Sequence, residues 1–222
     1  MAGWNDRTEG SVSVIGTGRM GKGLAARLHP HLKGMCWGSR SKERAARLIS
    51  ESGWEEGQIR AVGLDEAMEA DILIPAMWLR DLLPWAEANG ERLAGKILVD
   101  ITNPFTEDFS GFTTAWGTSA AEQLQKVLPR TQVVGAFKNT FFRVLEEPLH
   151  QGLQSDVYVT GDDEAAKRAV MKLLQPLPFR VLDAGRLENN RTIERMTLFE
   201  RELAVRYGSY PYVSFRLFGV EA

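Results

Sequence analysis

The sequence predicts an α/β fold in which helices flank a doubly wound, mostly parallel sheet. Three observations predict it. Short apolar runs alternate with amphipathic stretches along the chain, most runs end in Gly, Pro, Asn or Thr, and the first passes into a helical pattern through a glycine-spaced turn. Buried parallel strands read as continuous apolar runs that hand over to loops, and strand–helix alternation at this spacing builds such a sheet.

The expected strands are 12–16, 34–38, 71–77, 96–102, 132–137, 155–161 and 179–185. Met20, Leu24 and Leu28 form the apolar stripe of the first helix, which Pro30 closes. Ser41 can cap the second helix, and Ser119 with Glu122 forms a capping-box pattern for a helix running to Leu128. Ala166, Ala169, Val170, Leu173 and Leu174 make the stripe of a further crossover helix. The last helical pattern, 192–206, puts Ile193, Met196, Phe199 and Leu203 on roughly one face, which must cover the sheet or another subunit. No repeat or Pro/Gly/Ser-rich linker interrupts the 222 residues, so the expectation is one domain over 1–222, with a core at 11–137 and a small C-terminal α/β extension at 138–222 packed on it.

Composition narrows the function classes. With 44% apolar and 25% charged residues the chain is an ordinary globular one. The longest apolar run, 72–79, is far short of the ~20 residues of a membrane span. A net charge of −2 supplies no general field for nucleic acid. The charged start, without an apolar signal core, and a single cysteine, Cys36, point to the cytoplasm. No two His or Cys residues show metal-ligand spacing, so no metal is expected.

The turn after the first strand reads Gly16-x-Gly18-x-x-Gly21. Directly after a strand, directly before a helix and within the opening β–α unit, this is the pattern of a Rossmann dinucleotide site: Gly16 makes the tight turn, Gly18 lets a pyrophosphate approach the backbone, and Gly21 lets helix and strand pack closely. The helix N-terminus then offers free N–H groups to phosphate. At the end of the second strand, where NAD sites carry an acid for the ribose 2′-hydroxyl, the chain has Ser39 and Arg40, with Arg44 one helical turn later. A hydroxyl and two guanidiniums suit a 2′-phosphate, which favours NADP over NAD.

The segments VIGTGRMGKGLAARL, WGSRSKERAARL, KILVDITNPF, TSAAEQLQKVLP followed by VVGAF, GDDEAAK and LDAGRLENNRTIE resemble, in this order and from about residue 11 to 220, the NADP-dependent oxidoreductases that include the coenzyme F420:NADP oxidoreductases and the cytosolic domain of the STEAP metalloreductases. The resemblance implies that Thr17, Gly18, Arg19 and Met20 line the pyrophosphate and that Ser39, Arg40 and Arg44 hold the 2′-phosphate. It places the stretch Ile74, Pro75, Ala76 and Met77, together with Thr102, Asn103 and Pro104, beside the nicotinamide. Three departures concern the second ligand: Arg19 where relatives often carry Asn, the spacing Pro75-Ala76-Met77-Trp78, and Lys138-Asn139-Thr140 where relatives commonly show Asn-Thr or His-Thr.

Hydride transfer between a nicotinamide and a flavin or deazaflavin such as coenzyme F420 needs binding and orientation rather than a dedicated acid–base pair. That matches a chain whose His29, His31 and His150 fall beside a proline or in a loop and read as surface residues, while Cys36 reads as a small buried hydrophobe. Lys138, at a strand's carboxyl end, is a candidate contact for the second ligand, the alternative being a solvated lysine; Trp78, Trp116 and Phe141 are candidates for ring stacking, or else packing residues. The expected partner is therefore a small-molecule redox acceptor. A non-enzymatic NADPH sensor is the alternative from another class. An imine or β-hydroxyacid reductase is disfavoured, because only 85 residues follow Phe137 and two of their segments still read as strands. Leu198, Phe199 and the apolar stretch 210–215 make a homodimer the expected assembly.

Overall fold

The computed structural model describes residues 10–55 and 57–220. It opens with β1 (Val12–Ile15), α1 (Arg19–Leu28), β2 (Met35–Gly38), α2 (Lys42–Glu51), β3 (Ile59–Val62), α3 (Leu64–Ala67), β4 (Ile72–Pro75), α4 (Leu79–Ala88), α5 (Gly90–Leu93) and β5 (Ile97–Asp100). It continues through α6 (Ala120–Val127), β6 (Gln132–Gly135), α7 (Phe142–Glu146), a hairpin of β7 (Leu149–His150) and β8 (Leu153–Gln154), β9 (Asp156–Gly161), α8 (Glu164–Leu174), β10 (Arg180–Asp183) and α9 (Asn190–Arg206). Among the described residues no helix is long and apolar enough to cross a membrane.

Eight strands form one sheet in the order β3-β2-β1-β4-β5-β6-β9-β10. All neighbours are parallel except β6 and β9, where Val134 pairs with Gly161 and Gly135 with Thr160 in antiparallel register. The chain order reverses between β1 and β4, which opens a crevice above the carboxyl ends of those strands. The strands alternate between two apolar layers: Val12, Val14, Ile72, Ile74, Ile97 and Val99 face the layer holding α1 and α8, whereas Ile15, Leu73 and Leu98 face that holding α4 and α6. Burial on both faces is why these runs read as continuous rather than alternating.

Both expected serine caps form. Ser41 Oγ accepts from Arg44 N and Ser119 Oγ from Glu122 N, each at 3.2 Å. Strand β3 was not foreseen; it is an edge strand in which Arg60 interrupts the apolar run. The face of α9 also differs from expectation. Its buried residues are Asn190, Ile193, Glu194, Thr197, Glu200 and Ala204, while Phe199 is 57% exposed. The helix turns a polar stripe inward because the sheet end beneath it carries a buried lysine.

Candidate functional site

The glycine turn has the geometry its spacing implies. Gly16 adopts φ +114°, and a Cβ there would lie 2.6 Å from the carbonyl oxygen of Ala76. At Gly21 a Cβ would lie 2.0 Å from the Gly16 carbonyl oxygen. Trp37 Nε1 donates to that same oxygen at 2.9 Å, and Gly16 N donates to Gly38 O at 2.8 Å, which fixes the turn against β2. Gly18 differs: it is the N-cap of α1, and nothing lies within 4 Å of where its Cβ would be. No side chain caps α1 and its first turn holds no acid, so its unpaired N–H groups are available to an anion.

At the end of β2, Ser39 is buried and its Oγ accepts from Ser41 N at 3.2 Å. Arg40 and Arg44 are exposed at the start of α2 and form no salt bridge among the described residues.

Beside the turn lies a cleft of about 520 Å³. Gly18, Arg19 and Met20 contribute to its wall, with Ala76, Met77 and Trp78 beyond β4 and Thr102 and Asn103 beyond β5. Thr17, Pro75 and Pro104 are not part of the lining. Phe141 does line the cleft, whereas Trp116 lies outside it, 83% exposed beneath the Arg195 guanidinium. The sequence reading missed Ile101, Phe105, Phe109, Phe142, Thr197, Arg201 and Tyr210, which with Thr140 complete the wall. A signal existed for part of this group: the loop 105–116 carries Phe105, Phe109, Phe112 and Trp116 among Gly, Ser and Thr, directly after a strand end. The finished lining has six aromatic rings, two arginines and no carboxylate.

Lys138 corrects an expectation. It neither faces solvent nor reaches the cleft with its ammonium. Nζ donates to Asp100 Oδ2 at 2.5 Å, Thr102 O at 2.6 Å and Glu194 Oε1 at 2.9 Å, and the residue is 1% exposed. Three acceptors exhaust an ammonium's three protons, so none is left for a ligand. Burial alone would lower the lysine, but Asp100 and Glu194 outweigh it and hold it above its usual value, while burial raises Glu194 against the pull of Lys138. Both Glu194 oxygens also accept from Ala120 N at the start of α6.

The cluster braces the cleft from behind. The Lys138 carbonyl accepts from Asn103 Nδ2 at 2.7 Å and from Thr197 Oγ1 at 2.8 Å, which sets two lining side chains. With Nδ2 so engaged, Asn103 Oδ1 is buried and has no hydrogen-bond partner.

The histidines stand apart from the cleft. His29 is buried against Trp54, at 4.7 Å between centroids, rather than at the surface as expected, and burial lowers its pKa. His31 is exposed, and His150 stacks on Tyr212 at 4.3 Å. Cys36 is half-buried in β2 rather than fully buried; burial raises its thiol, so it is not an activated nucleophile.

The family model "NADP oxidoreductase coenzyme F420-dependent" matches residues 11–104. The F420-dependent NADP reductase of Methanocaldococcus jannaschii is 34% identical over 211 residues, covering 89% of this chain and 94% of the relative. The metalloreductase STEAP3 of Rattus norvegicus is 28% identical over 187 residues, 84% of this chain but 36% of the relative. The crystal structure of a proposed F420-dependent NADP reductase from Arthrobacter sp. FB24 superposes with a TM-score of 0.77 at 24% identity, covering 90% of this chain and 96% of that one.

Proposed function

Because the chain belongs to the coenzyme F420-dependent NADP oxidoreductase family, we propose that it moves a hydride between NADP(H) and a flavin-like acceptor, with the deazaflavin coenzyme F420 first among the candidates. It is an NADP-dependent oxidoreductase; the acceptor and the residue roles are our reading. The observation that carries the reading is continuity: the open glycine turn and the aromatic slot are walls of the same cleft.

In this reading Thr17, Gly18, Arg19, Met20 and the first N–H groups of α1 hold the pyrophosphate, and Gly16 and Gly21 keep the turn tight. Ser39, Arg40 and Arg44 take the 2′-phosphate; cations in the first turn of α2 oppose its dipole and gain from an added anion. Ala76, Met77 and Asn103 form the nicotinamide wall, with Pro75 and Pro104 in the backbone behind them. The orphaned Asn103 Oδ1 fits the carboxamide N–H of that ring, since a buried acceptor without a partner is costly until one arrives. The bound rings supply the chemistry: C4 of the dihydronicotinamide gives up a hydride, C5 of the deazaflavin takes it, and the reduced acceptor gains a proton from water. The chain stacks, orients and shields them, so no side chain need act as acid or base.

Two alternatives separate cleanly. A sensor would bind NADPH tightly and turn over no acceptor. An imine reductase would reduce imines; against it, the stretch after β6 returns as β9 and β10 to extend the same sheet, which also supports reading 1–222 as one unit. We further propose a cytoplasmic homodimer, supported by the exposed Phe199, Tyr207 and Phe218; sedimentation as a monomer at micromolar concentration overturns it.

The test is calorimetric titration with NADPH and NADH, for wild type and Arg40→Ala, followed by NADPH oxidation with coenzyme F420. NADPH is expected to bind preferentially and to lose at least tenfold in the variant, about 1.4 kcal/mol. No binding of either nucleotide would sink the reading.

A further inference from the structure

Resting on the acceptor half of that reading, we propose that Arg201 recognises an anionic group on the acceptor, so that the substrate class is a flat aromatic ring system bearing a phosphate or an ionised ring hydroxyl. Arg201 reaches the cleft from α9, between a ring of the 105–112 loop and one of the C-terminal stretch. Its guanidinium lies 5.0 Å from the Phe109 centroid and 5.6 Å from that of Tyr210. Rings hold a guanidinium by its face and leave the N–H edge free. Here that edge is almost unused. One amino group reaches Phe109 O at a long 3.4 Å, and Nε is buried with no partner at all.

The surroundings exclude an internal counter-ion. Among the described residues no carboxylate forms a salt bridge with Arg201, and Glu202 beside it is engaged by Arg206 at 2.8 Å. The cleft lining contains no Asp or Glu. The other lining cation, Arg19, belongs to the glycine turn and lies over Phe142 at 4.7 Å. Arg201 is thus the cation the aromatic slot presents to whatever enters it, and its orphaned donor gains a partner only from a ligand with an acceptor atom.

Three model acceptors separate the sources of the charge: 5-deazariboflavin, 5-deazaFMN, which adds a side-chain phosphate, and 8-hydroxy-5-deazariboflavin, which adds an ionisable ring hydroxyl. Hydride transfer from NADPH to each is followed in wild type, Arg201→Met and Arg201→Lys, with circular dichroism as the check on folding. In wild type at least one charged acceptor is expected to exceed 5-deazariboflavin tenfold or more in kcat/KM, mostly through KM. Arg201→Met is expected to shrink that ratio to within about twofold and Arg201→Lys to retain most of it. The phosphate or the ring hydroxyl is identified by which ratio collapses. Equal use of all three by wild type, or a preference that Arg201→Met leaves intact, overturns the role of Arg201 while the proposed function stands. Transfer to none of them, nor to coenzyme F420, overturns both.

Discussion

The two halves of the cleft are built differently. Up to β5 the described chain buries only Ser13, His29 and Ser39 among its polar residues, and no charged side chain. From Asp100 onward it buries Asp100, Lys138, Asp156, Lys167, Glu194 and Glu200, with Asn139, Asn190 and Thr197 around them. The nucleotide half is therefore set by backbone geometry on an apolar core, and the acceptor half by hydrogen bonds and charge. A turn made of consecutive residues tolerates an apolar support. A wall assembled from 101–109, 140–142 and 197–210 needs directional contacts to hold its register.

The largest expected effect tests that contrast. Lys138→Met leaves Asp100 and Glu194 buried without their cation and should cost about 3–5 kcal/mol in urea denaturation. Adding Glu194→Gln should recover part of the loss, because the two sites share one network. In the other half Leu73→Ala, in the apolar layer, should cost about 2–5 kcal/mol. If Lys138→Met proves neutral, the acceptor half is held by packing after all and the contrast fails.

Glu200 sharpens the same point through pH. It is buried with neither carboxylate oxygen partnered in good geometry, and burial pushes its pKa up to about 9 against only a weak opposing pull from the Phe215 N–H. The native state thus holds a proton that the unfolded chain releases near the ordinary glutamate value of 4.5. Native chains binding more protons than unfolded ones means that stability falls as pH rises between these two values, and levels off above the upper one. Glu200→Gln should flatten that decline and be the more stable protein at pH 8. Leu73→Ala, in the apolar layer of the other half, should keep the wild-type slope. A wild-type slope retained in Glu200→Gln would show that the side chain is ionised in the fold.

Within the nucleotide half, Gly21 and Gly18 should respond in opposite ways.

 Gly21→Ala drives a methyl group into the Gly16 carbonyl, 2.0 Å away, and should cost about 1–3 kcal/mol of stability or more, since backbone cannot yield there. Gly18→Ala meets open space at an ordinary φ of −77°, so folding should change by less than about 1 kcal/mol. NADPH affinity should nonetheless fall tenfold or more, because the space it fills is the place assigned to pyrophosphate. Calorimetry and thermal melts on both variants separate packing from binding. Unchanged affinity in Gly18→Ala would remove the phosphate from that turn.

The same division explains what the sequence disclosed. The glycine turn and both serine caps are patterns within a few residues, and each has the local geometry expected of it; Ser39, Arg40 and Arg44 are likewise neighbours in the chain. The partners of Lys138 lie 38 and 56 residues away, so no local pattern could tell an internal ion cluster from a ligand contact. The α9 stripe misled for a related reason. Spacing identified the helix, but the side facing the cluster is polar, and hydrophobicity pointed to a neighbouring face that shares only Ile193 with it. Strand β3 escaped because an edge strand with Arg60 at its centre lacks the apolar run that marks a buried one. Arg201 and Tyr210 became legible as part of the cleft only once α9 and the C-terminal stretch were placed beside the 105–112 loop.

The smallest expected effect compares one residue type in both halves. Ser41 and Ser119 each cap a helix, but Ser41 is exposed and also donates to the exposed Glu43 at 3.0 Å. Ser119 is buried and donates to Glu122 Oε2 at 2.8 Å, and Glu122 in turn holds Arg191 of α9. Losing an N-cap serine costs about 0.5–2 kcal/mol, and the halves should divide that range. Ser41→Ala belongs near the lower end, where water replaces the lost acceptor. Ser119→Ala belongs near the upper end, because it leaves the half-buried Glu122 N–H without its acceptor and frees the carboxylate that ties α6 to α9. Equal costs in matched urea titrations would mean that the cap acts alone, and that the charge network of the acceptor half adds nothing to the helix it anchors.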